Sequence, residues 1–348
     1  MSIPEVLACT ERLTKFNVDT VWIPETWGME NFAIQSAISQ RLTRSKIGSS
    51  IINIYSRSPA VIGMGAITID SLSNGRFVLG LGTSSVPIVE NFHGVKFEKP
   101  LTRMREYVEV IRLVTSGKKI DYTGQFFHLK NFRLLIQPVR EKIPIYLAAV
   151  NEKMTKLAWE ISDGVIFYLR PINELKQIIE KMQSKRKIDV TCQIITCVSE
   201  DSEKAIERTK KTLAFYISVG KIYREFLAKN GFKNDVNNIF EEYKKTGLKS
   251  NYELVTQDLL KELTICGTPE DCKKQLIRFR NTGIDLPIIQ FNPVGKTIES
   301  FNEFKKKINE ENKQSTKVKR NKKKLLTVSP KKFKINDLLN NNIAQESM

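Results

Sequence analysis

A rhythm constrains this chain more than any other feature. Short segments rich in β-branched and aromatic residues alternate with segments of helical length and periodicity from the first residues to about residue 308. The segments 19–24 (DTVWIP), 46–53 (KIGSSIIN), 76–82 (RFVLGLG), 143–149 (IPIYLAA), 164–168 (GVIFY), 188–197 and 286–291 carry almost no polar alternation. That is the pattern of strands buried on both faces. Between them the spacing predicts helices over 34–42, 59–72, 101–116, 153–161, 202–219, 268–280 and 297–308. The chain itself opens in a helix, with Ser2 and Glu5 placed as a capping box, Pro4 in the first turn and Asn17 beyond its end. Thr268 and Pro269 mark a second helix start as N-cap and first helical residue.

Strands alternating with helices imply parallel pairing through right-handed crossovers, hence an α/β fold. Seven strands can be counted, where a closed (β/α)8 barrel of roughly 250 residues needs eight. The one unaccounted for is the first, which belongs before Ser2. Either the start codon lies downstream of the true one, or the barrel lacks its first strand; two unpaired edges in an open barrel favour the former. The polar helical stretch over about 220–262 reads as an insertion. The barrel is therefore expected to span 1–312, followed by a tail over 313–348.

Charge needs locating before it is interpreted. The 348 residues carry a formal net charge of +18, and the tail, with ten Lys/Arg against two Asp/Glu, holds +8 of it. Low in apolar residues and like-charged, the tail reads as disordered: a solvated extension, or an electrostatic contact for RNA, DNA or another acidic partner. Phe333 is its single aromatic residue, which leaves little for stacking on bases. The barrel gives no comparable reason to expect nucleic acid.

Other chemistries are excluded by what is scarce. Five scattered cysteines form no CxxC pair, so a zinc site or a disulfide framework is not expected. The two histidines, His93 and His128, have no nucleophile motif nearby and cannot supply a His-rich metal site. No apolar run reaches the roughly 18 residues that would span a bilayer, and no signal-peptide pattern opens the chain. A cytoplasmic protein with no membrane contact is the expectation.

In α/β barrels chemistry gathers where the loops after each strand converge. Glu25 and Trp27 follow the first strand here, and a carboxylate at that point either handles a proton or pairs with a neighbouring cation or helix start. Asn53 follows the second, offering an amide to the carbonyl and N–H edge of a pyrimidine-like ring, or to its own turn. Gly80, Gly82, Thr83 and Ser84 close the third, where missing side chains permit close backbone approach. Val150, Asn151, Lys153 and Met154 lead into a helix whose N-terminus suits a phosphate, although Asn151 is equally placed to cap it.

The long blocks SRSPAVIGMGAITIDSLSNGRFVLGLGTSS (56–85), FHGVKFEKPLTRMREYVEVIRLV (92–114) and IPIYLAAVNEKMTKLAWEISDGVI (143–166) resemble the luciferase-like monooxygenase superfamily. Within it the resemblance runs toward the coenzyme F420-dependent branch, which includes methylenetetrahydromethanopterin reductase, and GTPEDCKKQLIRFRNTGIDLPIIQFNP (267–293) is similar to that family's closing segment. The resemblance implies a TIM barrel of the bacterial luciferase type. It implies a deazaflavin, or alternatively FMN, at the carboxyl end, backed by a bulge with a non-prolyl cis peptide at Ser50-Ile51. By position Asn53 would meet the ring edge, and Thr83 and Ser84 would line the site. Val150, Asn151, Lys153 and Met154 would hold the phosphate arm, and Glu25 stands where the family places an acidic cofactor contact.

The departures count as well. Several F420 enzymes carry His after that acid and Glu after the glycine strand, where this chain has Thr26 and Ser85. A sugar-phosphate dehydrogenase is thereby disfavoured. The expected activity is hydride transfer between F420 and a small organic substrate, methylenetetrahydromethanopterin being one candidate, with Glu25 the residue for proton handling. An FMN monooxygenase using O₂ and a non-catalytic binding protein are the alternatives, and a homo-oligomer is expected in each case.

Overall fold

The computed structural model describes residues 1–303. In chain order the first half comprises α1 (Ile3–Leu13), β1 (Thr20–Ile23), α2 (Asn31–Ser39), β2 (Lys46–Ser49), β3 (Ile52–Asn53), α3 (Pro59–Leu72), β4 (Phe77–Gly82), α4 (Pro100–Val114), β5 (Ile120–Thr123), β6 (His128–Phe132), β7 (Ile145–Ala148) and α5 (Glu152–Ile161). The second half adds β8 (Gly164–Tyr168), α6 (Ile172–Gln183), β9 (Asp189–Val198), α7 (Ser202–Val219), α8 (Lys221–Leu227), α9 (Lys233–Thr246), α10 (Gln257–Leu263), β10 (Thr264–Gly267), α11 (Pro269–Arg280) and β11 (Leu286–Phe291). A further helix starts at Thr297. The expected tail over 313–348 lies outside the described residues.

Seven strands form the barrel wall in the order β1, β2, β4, β7, β8, β9, β11, every neighbouring pair parallel. These are the seven that the apolar segments predict. Among the described residues no pairing joins β1 to β11, so the barrel is nearly closed.

Side chains alternate across this wall as the pleat requires. Leu79 and Leu81 of β4, Ile145 and Leu147 of β7, Val165 and Phe167 of β8, and Val190, Cys192 and Ile194 of β9 point outward into the main core with the helices. Their neighbours Val78, Tyr146, Ile166 and Ile288 point inward and pack with Trp22 and Ile51 inside the barrel. Each fully buried Ile or Leu stabilises the fold by about 2 kcal/mol. The near-absence of polar residues in these strands therefore follows from both faces being covered.

The helix starts show why the helices begin where they do. Ser2 and Glu5 form the predicted capping box on α1, and Thr268 and Asp271 form another on α11, each with Pro in the first turn. Boundaries differ from the sequence reading where a carboxylate intervenes. The side chain of Glu30 caps α2, so that helix runs 31–39 rather than 34–42. The single strand expected over 46–53 is broken into β2 and β3 by the bulge described below. The polar stretch over about 220–262 contains α8, α9 and most of α10. The hairpin β5–β6, helix α6 and short strand β10 were not anticipated. The hairpin is held by Glu106, whose carboxylate accepts the backbone N–H groups of Gln125, Phe126 and Phe127 at 2.8, 2.9 and 3.2 Å.

Candidate active site

The carboxyl ends of the strands carry an irregular backbone centred on β2. Ser49 Oγ accepts from Gly80 N at 2.7 Å and donates to Gly80 O at 2.9 Å, so β2 touches β4 here through a side chain. A Cβ on Gly80 would lie 1.9 Å from Ser49 O, which explains why that position is glycine. The next peptide bond, Ser50–Ile51, is cis, at the position the family resemblance indicates. Ile51 then turns its side chain into the barrel against Gly82, where a Cβ would meet it at 2.6 Å. Chain pairing resumes at β3, with Ile52 opposite Leu81 and Asn53 opposite Gly82.

Asn53 is 3% exposed. Its Oδ1 accepts from Tyr55 N at 3.0 Å, which fixes the amide orientation and makes Asn53 the anchor of its own turn. The Nδ2 consequently points away, buried and without a hydrogen-bond partner. A buried amide donor left unpaired costs roughly 1–3 kcal/mol. The turn reading of Asn53 is thus met by one end of its amide, and the other end is left free for a further contact.

Glu25 is committed to protein contacts. Its two oxygens accept from Arg57 Nη1 at 2.8 Å and Nη2 at 2.7 Å, and Oε2 also accepts from Asn31 N at 3.0 Å. Arg57 reaches Glu30 as well and lies 5.5 Å from the centre of the Phe32 ring. The carbonyl of Arg57 accepts from Tyr107 Oη at 2.7 Å. This ties the loop after β1 to the loop after β3 and to α4. Trp27, two residues beyond Glu25, is 59% exposed.

Thr83 and Ser84 continue β4 into the mouth, half-buried, with Ser84 in the left-handed region at φ 58°. Beyond β7, Asn151 caps α5 through Oδ1, which accepts from Met154 N at 2.9 Å. Val150 O accepts from Arg170 Nη2 at 2.8 Å; Lys153 is exposed and Met154 is buried. Arg170, only 2% exposed, also pairs with Glu174 and lies 4.1 Å from the Phe167 ring centre. The loops after β7 and β8 are therefore locked together by one arginine that the sequence reading did not single out.

A polar layer closes the top of the barrel interior. Ser50 Oγ donates to Gln193 Oε1 at 2.7 Å, and Gln193 Nε2 donates to Gln290 Oε1 at 2.9 Å. Tyr168, beside Gln290, stands at the end of β8, its ring edge-to-face with Tyr216 of α7 and Tyr223 of α8 at 5.1 and 5.5 Å. The available signal was polar side chains at inward positions of otherwise apolar strands. Gln193, Gln290 and Tyr168 lie within strands, so no loop pattern in the sequence singles them out.

All five cysteines are buried and unpaired, and burial raises the Cys192, Cys197 and Cys272 thiols to about 12. They are packing residues rather than nucleophiles. Among the described residues no cluster of His, Cys, Asp and Glu has the make-up of a metal site, and no helix is long and apolar enough to cross a membrane.

The model of the luciferase-like monooxygenase family matches residues 1–286, most of the barrel. The chain belongs to that family. Among the relatives of this luciferase-like protein is the 5,10-methylenetetrahydromethanopterin reductase of Archaeoglobus fulgidus, 29% identical over 291 residues that cover 80% of this chain and 86% of that one. Solved structures repeat the fold. The coenzyme F420-dependent tetrahydromethanopterin reductase of Methanopyrus kandleri superimposes with a TM-score of 0.75 at 20% identity, covering 86% of this chain and 93% of that one. An F420-dependent secondary alcohol dehydrogenase, solved with an F420-acetone adduct, gives 0.70 at 21% identity, covering 88% and 96%. These named relatives are oxidoreductases.

Proposed function

We propose that this luciferase-like protein is an F420-dependent oxidoreductase that moves a hydride between the deazaflavin and a small organic acceptor, with methylenetetrahydromethanopterin the first acceptor to test. The observation that carries the reading is the Asn53 amide, held by its own turn on one side and presenting a buried, unpartnered Nδ2 on the other beside the cis bulge. A flat heterocycle with a carbonyl edge fits that donor. The ring would rest on the Ser50–Ile51 bulge, with Thr83 and Ser84 beside it, while the start of α5, with Val150, Asn151, Lys153 and Met154, would take the phosphate arm. When bound, the deazaflavin supplies the two-electron hydride chemistry, and the protein's part is orientation and exclusion of water.

Glu25 enters as the residue that sets Arg57 and the two loops it bridges; as a proton carrier it would first have to release that guanidinium. A homo-oligomer is part of the same proposal. Helix α3 leaves Val61, Met64 and Leu72 between 42 and 49% exposed on one uncharged stripe, a surface suited to a second copy of this chain. Cytoplasmic location accords with this reading.

Fluorescence titration of the purified protein with F420 and, separately, with FMN tests the assignment. F420 should bind in the micromolar range or tighter. Preference for FMN would transfer the protein to the monooxygenase reading, and failure of both to bind at micromolar concentration would leave a binding protein on an enzyme fold.

A further inference from the structure

The polar layer in the barrel mouth has a direction. The Ser50 hydroxyl donates to Gln193, and Gln193 donates to Gln290, so each amide spends its oxygen on the preceding group and turns its N–H side toward the next. Tyr168 stands at the far end. Its hydroxyl lies near the Gln290 amide and the Tyr216 hydroxyl, is shut off from water, and makes no hydrogen bond of ordinary geometry. Burial, with the neighbouring tyrosines, holds the phenol well above its usual range, so it keeps its proton at neutral pH. The ring is fixed by edge-to-face contacts with Tyr216 of α7 and Tyr223 of α8. A fixed O–H that makes no well-formed hydrogen bond within the protein, at a strand end in the mouth of a barrel, is the arrangement that stabilises charge developing on a ligand atom.

We propose that Tyr168 is the hydrogen-bond donor to the hydride acceptor's heteroatom, and that Gln290, Gln193 and Ser50 are positioning residues that aim it. The proposal rests on the oxidoreductase reading above and names the acceptor class: a carbonyl or iminium compound. With a reduced deazaflavin as hydride donor, the new C–H bond would form at the acceptor carbon while the acceptor's π pair moves onto its oxygen or nitrogen. Tyr168 stabilises that pair through its O–H without giving up the proton. An oxygen acceptor then takes its proton from solvent, whereas an iminium becomes a neutral amine and needs none. The chain of donors begins at the residue preceding the cis bond, which links the acceptor side of the mouth to the bulge proposed to carry the ring.

The test compares wild type, Tyr168→Phe and Gln290→Met, each titrated with F420 and then supplied with reduced F420 and either methylenetetrahydromethanopterin or acetone. Tyr168→Phe should keep the wild-type melting temperature and F420 affinity within about twofold, while kcat falls by on the order of 100-fold, the usual cost of one such donor. Gln290→Met keeps the phenol and loses its guide, so a smaller loss in kcat is expected. Wild-type kcat in Tyr168→Phe overturns the proposal. So does a parallel loss of F420 affinity, which would assign the phenol to the cofactor, and so does an F420-loaded wild type that turns over neither acceptor. Failure of wild type to bind F420 is seen before any acceptor is added, and removes the oxidoreductase reading together with what is built on it.

Discussion

At Asn53 one side chain does two jobs that can be separated. Replacing it with Ala removes both the turn anchor and the free donor, whereas Asn53→Asp keeps the anchor at Tyr55 N and replaces the donor with an oxygen. A lost hydrogen bond to a ligand costs about 1.5 kcal/mol, roughly tenfold in affinity. Asn53→Asp should therefore bind F420 at least tenfold more weakly while melting close to wild type, and Asn53→Ala should lose both affinity and stability. Equal F420 affinity in wild type and Asn53→Asp would remove Asn53 from the site. Glu25 calls for the opposite experiment. In Glu25→Gln the Arg57 guanidinium, 17% exposed at its side chain, retains Glu30 as its remaining anion. Breaking one arm of a buried pair should cost about 2 kcal/mol, less than the full loss of a partner. If Glu25 acts only by holding Arg57, thermal melting shows the loss and the pH profile of kcat keeps its shape; a shifted acid limb would return Glu25 to proton handling. What made these residues legible in the sequence was position, since each follows an apolar strand. What hid the partner of Glu25 was distance along the chain, 32 residues, which no local pattern encodes.

Whole elements were legible where burial on both faces left only one way to write them. The seven wall strands fall where their apolar runs predict, because an inward or outward polar group in such a strand would be buried without a partner. Elements built on a single tertiary contact were not. Hairpin β5–β6 depends on Glu106 reaching three backbone N–H groups, and helix α6 follows a loop pinned by Arg170, neither of which shows as a periodic signal. Asp163, just before β8, illustrates the energetics of such a staple. Burial alone would push its carboxyl up. Lys142, the Ile145 N–H at 3.0 Å and Arg112 at 3.0 Å outweigh burial and hold it below the ordinary carboxylate range. A carboxylate depressed in the folded state contributes stability that is fully present above its unfolded value and is lost as pH falls through the folded one. Asp163→Asn should therefore destabilise the protein by about 2 kcal/mol at pH 7, as loss of charged hydrogen bonds does. The gap in melting temperature between variant and wild type should close as pH drops from 5 toward 3. A gap that stays constant over that range would mean that Asp163 acts by shape and not by charge.

For the molecule as a whole, the +18 charge and the exposed face of α3 point to different kinds of contact. The basic segment over 313–348 contains none of the residues assigned to the mouth, all of which lie between Glu25 and Gln290, so nothing in the proposed chemistry draws on it. The α3 stripe is another matter, because α3 packs directly on α4 and lies over β4, the strand that carries Gly80 and Gly82. Val61, Met64 and Leu72 recur on one side of a helix whose single charged residue, Asp70, is buried and paired with Arg140 at 2.7 Å. An uncharged helix face half open to water is a cost in an isolated molecule and a contact in a symmetric pair, where the same stripe meets itself. A two-fold contact doubles any substitution. Met64→Lys would bring an ammonium group from each copy into the shared contact, where like charges repel and each loses water, at a cost of several kcal/mol per pair. Light scattering should find the wild type at a multiple of the 39.9 kDa chain mass and the variant at one chain mass, with F420 affinity retained because the mouth is built within a single chain. A wild type that scatters as one chain at tens of micromolar would exclude the stripe as an oligomer contact. Loss of F420 binding on dissociation would show instead that the second copy braces the β4 side of the mouth.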